Sequence, residues 1–496
     1  MCWRAAEVAV VLVFVVSRLA YRLLLDIRFD ASPPDYFVQY LNPWFVEHEF
    51  LRSVLYLHHQ APLQILVVQG CIKLLGSARA AVLLQGLYLA AGLSLAVALL
   101  RVLRRFRVPI LVAVGAVSLY VVSPSYVLYE NWLFYPLPTA TLLAFALLAL
   151  LRYYRIGTFG SALVFFSLLA AVALLRATFG ALFLCAVAVP LLVRPPLDPS
   201  RSARRRIVAA AALPLFVVVL NAAKTSWLVG HPYGSALLWQ NLCLKIAVHL
   251  PSDELKRLTD SGLLSNAAGF RGNLTDVEAY GRFRVPHAPT GVSLLDLSAV
   301  PGGARNTHAL EHVLVAEKYY RPDAVYLLTH YPGTYLQSVW NALSTQYVSS
   351  SALVDVLEYE SNFRKIEPIR SLSDRAFGPL SSRRFLGLII GLPLAWVYGI
   401  YRLVGARASA ESERAATIAI AYMLLAIGYA GATTLLISFG DFSRYRFDVD
   451  ALYFVLFVLF VVDAGRLARR GIRRLVPRPR RTRDQVRAAA MRTGEV

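Results

Sequence analysis

Cysteine is scarce and unpatterned in this 496-residue chain: Cys2, Cys71 and Cys185 fall in or beside apolar stretches and only Cys243 lies in a polar one, so no disulfide framework is indicated. No Cys-x-x-Cys or His-x-x-x-His pattern argues for structural zinc. Acidic residues are few, 30 against 51 basic ones, which leaves a formal net charge of +21. A soluble nucleic-acid binder would gather that charge on one folded face. Here it sits between apolar runs, so no nucleic-acid partner is expected and the positive-inside rule explains the excess. The chain also lacks an internal repeat and the inverted symmetry that many transporters show. No small-residue cleavage site follows the apolar stretch from Met1 to Ser17, which is therefore expected to be part of an uncleaved anchor with a cytoplasmic N-terminus.

What is present is apolar: 57% of the residues are hydrophobic. Several runs of about 18 to 23 residues match the thickness of a hydrocarbon core. The expected fold is an all-α polytopic membrane protein with about ten transmembrane helices and a mixed or mainly helical outer domain. The spans, some marked only by their apolar cores, are Ala5 to Leu25, Ala80 to Leu100, Pro109 to Val122, Ala140 to Leu151, Ser161 to Leu175, Ala181 to Val193, Ile207 to Val229, Leu386 to Leu403, Thr417 to Ser438 and Leu452 to Val462. Pro62 to Leu75 is too short for a full crossing and is broken by Lys73, which favours an interfacial or re-entrant helix.

Arginine clusters alternate with these runs, as RVLRRFR at Arg101, RYYR at Arg152 and RPPLDPSRSARRR at Arg194, and they place both termini inside. The domain reading is a transmembrane core over 1–229 with a first outer loop at 26–62, an extracytoplasmic domain over 230–384, C-terminal membrane helices over 385–465 and a basic cytoplasmic tail over 466–496. The tail carries eleven arginines and is expected to be disordered and held near anionic lipid. The arginine-, alanine- and leucine-rich composition suggests a bacterial plasma membrane. The Asn273-Leu-Thr sequon is compatible with the endoplasmic reticulum of a eukaryote.

The stretch from Phe29 to Pro62 interrupts this pattern with Asp30, Asp35, Glu47, Glu49, His48, His58 and His59, and with the Pro33-Pro34 pair that forbids a simple helical continuation. On the charge-rule topology it shares the outer side with the loop from Ser123 to Thr139, which holds Glu130 and Asn131, with Arg176 and Lys224 at helix ends, and with the Gly440 to Asp450 loop, which holds Arg444 and Arg446. Carboxylates and guanidinium groups converging at one membrane boundary suit a lipid-linked, negatively charged substrate, since guanidinium pairs bidentately with phosphate. Taken singly, each has a plainer role: snorkelling for the arginines, turn capping for Asp30, helix capping for Glu130 and Asn131, and an interfacial pair for His58 and His59. Asp35, after Pro34, looks like an N-cap.

Asp30 within Phe29-Asp30-Ala31, the entry His59-Gln-Ala-Pro62-Leu63 into the next apolar helix and the Tyr129-Glu130-Asn131 loop together resemble the GT-C superfamily of polytopic membrane glycosyltransferases. It is similar in particular to bacterial relatives of the protein O-mannosyltransferases and aminoarabinose transferases. It extends over roughly residues 5 to 230 in topology, and the Arg444/Arg446 region looks like the carboxy-terminal part of such proteins. The family's Asp-Glu pair stands here as Asp30-Ala31 and its His-Pro-Pro-Leu carries one more residue, so Asp30 and Asp35 both stay open as the catalytic carboxylate. The resemblance implies a polyprenyl-phosphate sugar donor, a lipid, glycan or protein acceptor, and inversion at the anomeric carbon. Glu130 matches the family's second acidic position.

Glycosyl transfer passes through an oxocarbenium-like centre, so it needs a carboxylate to take the acceptor proton and cations to hold the departing phosphate. Asp30 or Asp35 suits the first role, and Arg176, Lys224, Arg444 and Arg446 the second, with His58, His59, Glu130 and Asn131 as further substrate-binding candidates. A role for a divalent cation is left open. A transporter or lipid flippase would instead place charges near the bilayer midplane on broken helices. A non-catalytic membrane partner would use its outer domain as an interface.

Overall fold

The structure, a computed structural model, describes residues 2–58, 60–195, 201–229, 238–268, 283, 285–346, 362–369, 386–405, 411–438 and 442–475. His59, Asn273, the Gly440 end of the last predicted loop and the tail beyond residue 475 lie outside the described residues.

Every regular element among the described residues is a helix, and β pairing there is confined to two isolated bridges. The first half comprises α1 (Trp3–Leu25), α2 (Pro33–Tyr36), α3 (Pro43–His48), α4 (Phe50–Leu55), α5 (Pro62–Leu75), α6 (Ser77–Arg105), α7 (Ile110–Val122), α8 (Pro124–Glu130), α9 (Pro136–Ile156), α10 (Phe159–Leu175), α11 (Ala181–Val193) and α12 (Arg201–Val229). Among the described residues six helices are long and apolar enough to cross a membrane: α1, α6, α9, α12 and the helices Glu411–Leu436 and Phe442–Leu475. A seventh crossing is counted if α7 and α8, bent by 59° at Ser123-Pro124, form one broken span. The protein is thus an integral membrane protein. Of the ten spans expected, α10 and α11, with 17 and 13 residues, are shorter than a full crossing requires, and the helix Leu386–Val404 is not among those counted.

Helix α9 is the centre of the bundle. Of its apolar window 61% is buried, against 22% for α1 and α12, so α9 is wrapped by protein while the other two turn most of their surface outward. Ala140, Ala144 and Ala146 let neighbouring backbones approach, and α6, α10 and the final helix all pack on α9. The exposed Leu12, Leu19 and Leu23 of α1 suit a lipid-facing surface.

Helix α5 is as short as expected. It folds back along the start of α6 through Gly76, whose φ of 77° lies in the left-handed region that glycine adopts without strain. Gln69 then grips the backbone N–H and C=O of Leu41, and Lys73 donates to the carbonyls of Val46 and Glu47, so the α5 to α6 hairpin carries the short helices of the first insert.

The polar half of the chain has its own core. Cys243, Ile246, Leu258, Tyr320, Ala324 and Leu327 form a separate cluster built from the helices Leu238–Ala247, Ser252–Asp260 and Arg321–His330. Val38 of the first insert packs against it, and Thr307 donates to the Val38 carbonyl. The insert is therefore sandwiched between the bundle and this domain.

Candidate functional site

Residues 131–135, between α8 and α9, form the hub. Asp30 N–H donates to the Asn131 carbonyl at 2.8 Å and Leu133 N–H donates to the Asp30 carbonyl at 3.0 Å, a parallel bridge that fixes Asp30 beside Trp132. The Tyr40 hydroxyl donates to the Leu133 carbonyl and the Tyr88 hydroxyl to that of Phe134, so each carbonyl of this irregular segment finds a donor. Phe37, Trp132 and Phe134 stack around it.

One oxygen of Asp30 has a local duty: Oδ1 accepts from Ser32 N–H at 2.9 Å and from Ser32 Oγ at 2.6 Å, the turn-capping role expected from sequence. The other oxygen, Oδ2, is buried and has no hydrogen-bond partner among the described residues. The extended segment leading to it is clamped by the 362–369 helix, where the Asn362 amide pairs with both backbone groups of Arg28 and Lys365 reaches Asp26. Hydrogen bonds from Arg28 and Lys365 hold the Asp26 carboxyl below its usual range.

On the other flank of the hub lies a buried cation cluster. Arg176, 3% exposed at the end of α10, sets its guanidinium 4.3 Å from the Tyr135 ring centre and 4.5 Å from that of Tyr445. Its Nε lies 2.6 Å from Asp448 Oδ2, and both Nη atoms are buried without a hydrogen-bond partner among the described residues. Arg444 lies over Phe134, Tyr135 and Tyr445, and Arg446 is ion-paired with Asp450 at 2.8 Å. Among the described residues, Arg176 thus lies beside Asp448 and Arg446 is paired with Asp450. Arg444 and Arg446 do not sit in a loop as expected. The helix starts at Phe442, and Asp448 and Asp450 stand four residues after each arginine, a spacing that supports a helix.

The remaining candidates take other places. Glu130 is buried and engaged on both oxygens by Arg18, at 2.7 and 2.8 Å, because the guanidinium within α1 needs a counter-charge. The Asn131 amide caps its own helix by donating to the Val127 carbonyl, leaving its backbone carbonyl to hold Asp30. Lys224 donates to the Leu57 carbonyl at 2.7 Å and so ties α12 to the insert rather than joining the cation cluster. Asp35 is not the N-cap: Ser32 is, since Pro33 and Pro34 fill the first two helical positions. Asp35 instead lines a cavity of about 550 Å³ with Glu47, Gln69 and Lys73.

His58 meets His308 at 6.4 Å between ring centres, and burial lowers their pKa values to about 3 and about 4. His312, lowered to about 3 by burial and the nearby Arg305, completes this group. The chain does carry the His-x-x-x-His spacing, at His308 and His312, contrary to the expectation from sequence. Among the described residues no three His, Cys, Asp or Glu side chains are grouped so as to hold a metal ion. Asp448, Tyr135 and Tyr445 were also missed, and only the position of Asp448 four residues after Arg444 signalled any of them.

No family model and no curated protein matches the chain. Among solved structures it is similar to the archaeal oligosaccharyltransferase AglB from Archaeoglobus fulgidus, in complex with an inhibitory peptide and a dolichol-phosphate. That likeness has 14% identity and a TM-score of 0.40 over 98% of this chain and 54% of the other. It is also similar to ArnT from Cupriavidus metallidurans bound to undecaprenyl phosphate, at 13% identity and a TM-score of 0.30 over 92% of this chain and 78% of the other. The chain spans about half the length of the first of these.

Proposed function

We propose that the protein is a membrane glycosyltransferase that moves a sugar from a polyprenyl-phosphate donor to an acceptor at the outer, periplasmic or luminal, face of the membrane. The observation that carries this reading is the shared hub: residues 131–135 hold a carboxylate with one unpartnered buried oxygen on one flank and the Arg176/Arg444 cluster on the other. An acceptor hydroxyl or amine attacks the anomeric carbon as the bond from that carbon to the phosphate oxygen breaks. The acceptor proton passes to Asp30 Oδ2, and polyprenyl phosphate leaves with its new charge held by Arg176 and Arg444. Attack on the face opposite the leaving group inverts the anomeric centre, and the transferred group is a hexose or pentose.

The test compares Asp30→Asn with Asp35→Asn in purified, reconstituted protein, following release of polyprenyl phosphate. Asn keeps the hydrogen bonds to Ser32 but cannot accept a proton at neutral pH. Asp30→Asn is expected to lose at least about a hundredfold in turnover, the low end for a general base, while Asp35→Asn loses far less. The reverse order would move the base to Asp35, and no effect from either would remove this mechanism.

A further inference from the structure

The opposite end of the bundle carries a second concentration of arginine. Helix α9 leaves the hub at Pro136 and runs 21 residues to Ile156, roughly 30 Å at 1.5 Å per residue, so its far end lies a full hydrocarbon thickness from Asp30. There a cavity of about 300 Å³ opens between the ends of α6 and α9 and the first turns of the Glu411–Leu436 helix. Arg105 and Arg155 enter it from different helices, and Phe106, Leu151 and Tyr154 give it an apolar wall.

The neighbouring arginines are engaged elsewhere. Arg101 is paired with Glu7, Arg104 lies over Trp3, and Arg206 donates to the Gly157 carbonyl. Among the described residues, Arg105 and Arg155 make no ion pair, and the Arg414 Nε, one residue before the lining Ala415, is buried with no hydrogen-bond partner. Glu413, at the same helix start, is exposed and unpaired. Positive-inside topology needs cations near the helix ends, but it does not require two of them, from different helices, to share one half-apolar cavity at a helix N-terminus.

We propose that this cavity is a binding site for a phosphate-bearing anion, with Arg105 and Arg155 as its guanidinium clamp. Two guanidinium forks match the paired oxygens of a phosphate. The volume is at the lower end of that of small-molecule sites, enough for a phosphate with its glycerol or a comparable group. The source is either an anionic phospholipid headgroup of the adjacent leaflet or a free phosphate compound, and the experiment separates the two.

Full-length protein would be prepared in phosphatidylcholine nanodiscs, alone or doped with phosphatidylglycerol, as wild type, as the Arg105→Gln/Arg155→Gln double variant and as Arg4→Gln, an exposed arginine away from the cavity. Native mass spectrometry counts retained phosphatidylglycerol, and thermal unfolding reads the response to added inorganic phosphate. For a lipid headgroup, wild type and Arg4→Gln retain about one phosphatidylglycerol with at least tenfold higher affinity than the double variant, roughly one bidentate contact, and inorganic phosphate shifts nothing. For a free phosphate, Tm rises saturably in undoped discs for wild type and not for the double variant. If the double variant is not monodisperse, the single variants and Arg105→Lys/Arg155→Lys replace it, the lysine form being expected to bind less tightly than wild type. Equal lipid retention and equal phosphate response in wild type and variants would overturn the proposal.

Discussion

Arg444 shows what a single side chain contributes beyond its charge. Its guanidinium lies over three aromatic rings, contacts that a planar, weakly hydrated cation makes and a compact ammonium does not reproduce. Arg444→Lys is therefore expected to weaken polyprenyl-phosphate release by about tenfold or more at low donor concentration, on the scale of one bidentate contact. Equal activity of the two forms would reduce Arg444 to charge balance. At this scale the sequence was partly legible. Asp30 stood out as a carboxylate beside a proline pair. That Arg18 would meet Glu130 was not legible, because its partner lies 112 residues on and only packing brings them together.

Between elements, the closest fit is where α6 passes α8. A Cβ on Gly92 would collide with Glu130 Oε2, and the Tyr126 hydroxyl donates to the Gly92 carbonyl across the same gap. Gly92→Ala is expected to cost about 1–3 kcal/mol, the range for overpacking, and to lower the thermal midpoint in detergent. Gly86→Ala on the same helix, with nothing within 4 Å of the added carbon, is the control and is expected to hold or raise that midpoint. Similar midpoints for both would show that the two helices do not approach this closely. Hydropathy located nearly all of the bundle helices because a lipid-facing helix is apolar over its whole length. It placed the start of the last helix too late, since Arg444, Arg446, Asp448 and Asp450 read as a polar loop until their spacing is seen to pair them along one helix.

Across the whole molecule, the joint between the first insert and the polar domain is pH-sensitive. His58, His308 and His312 are buried there, with Lys224 and Arg305 adding positive charge and Glu311 paired to Arg305. Their native pKa values of about 3, about 4 and about 3 lie below the ordinary histidine value of about 6.5, so the unfolded chain binds protons that the native one excludes. Stability is complete above about pH 6.5 and falls as pH drops toward 4, by up to about 1.4 kcal/mol per pH unit for each histidine. Thermal unfolding of wild type and His308→Gln between pH 7.5 and 4.5 checks this, with a shallower decline expected for the variant. Parallel declines would place the acid sensitivity elsewhere. The sequence led us to expect an outer polar domain, but gave no sign that the insert packs on it, since contacts between residues 38–52 and 291–308 leave no local periodicity.

The clamp that the 362–369 helix closes on Arg28 also sets an order in time. Asp30 leaves the ribosome early, whereas Asn362, Lys365 and Arg444 follow more than three hundred residues later, a delay of roughly 20 to 80 s at about 5–20 residues per second. Throughout that interval the nascent chain holds the carboxylate of the proposed site without the helix that steadies it or the arginine across the hub. On the proposed function, the site is complete only late in biosynthesis, and a chain stalled before Phe442–Leu475 is made is expected to lack transfer.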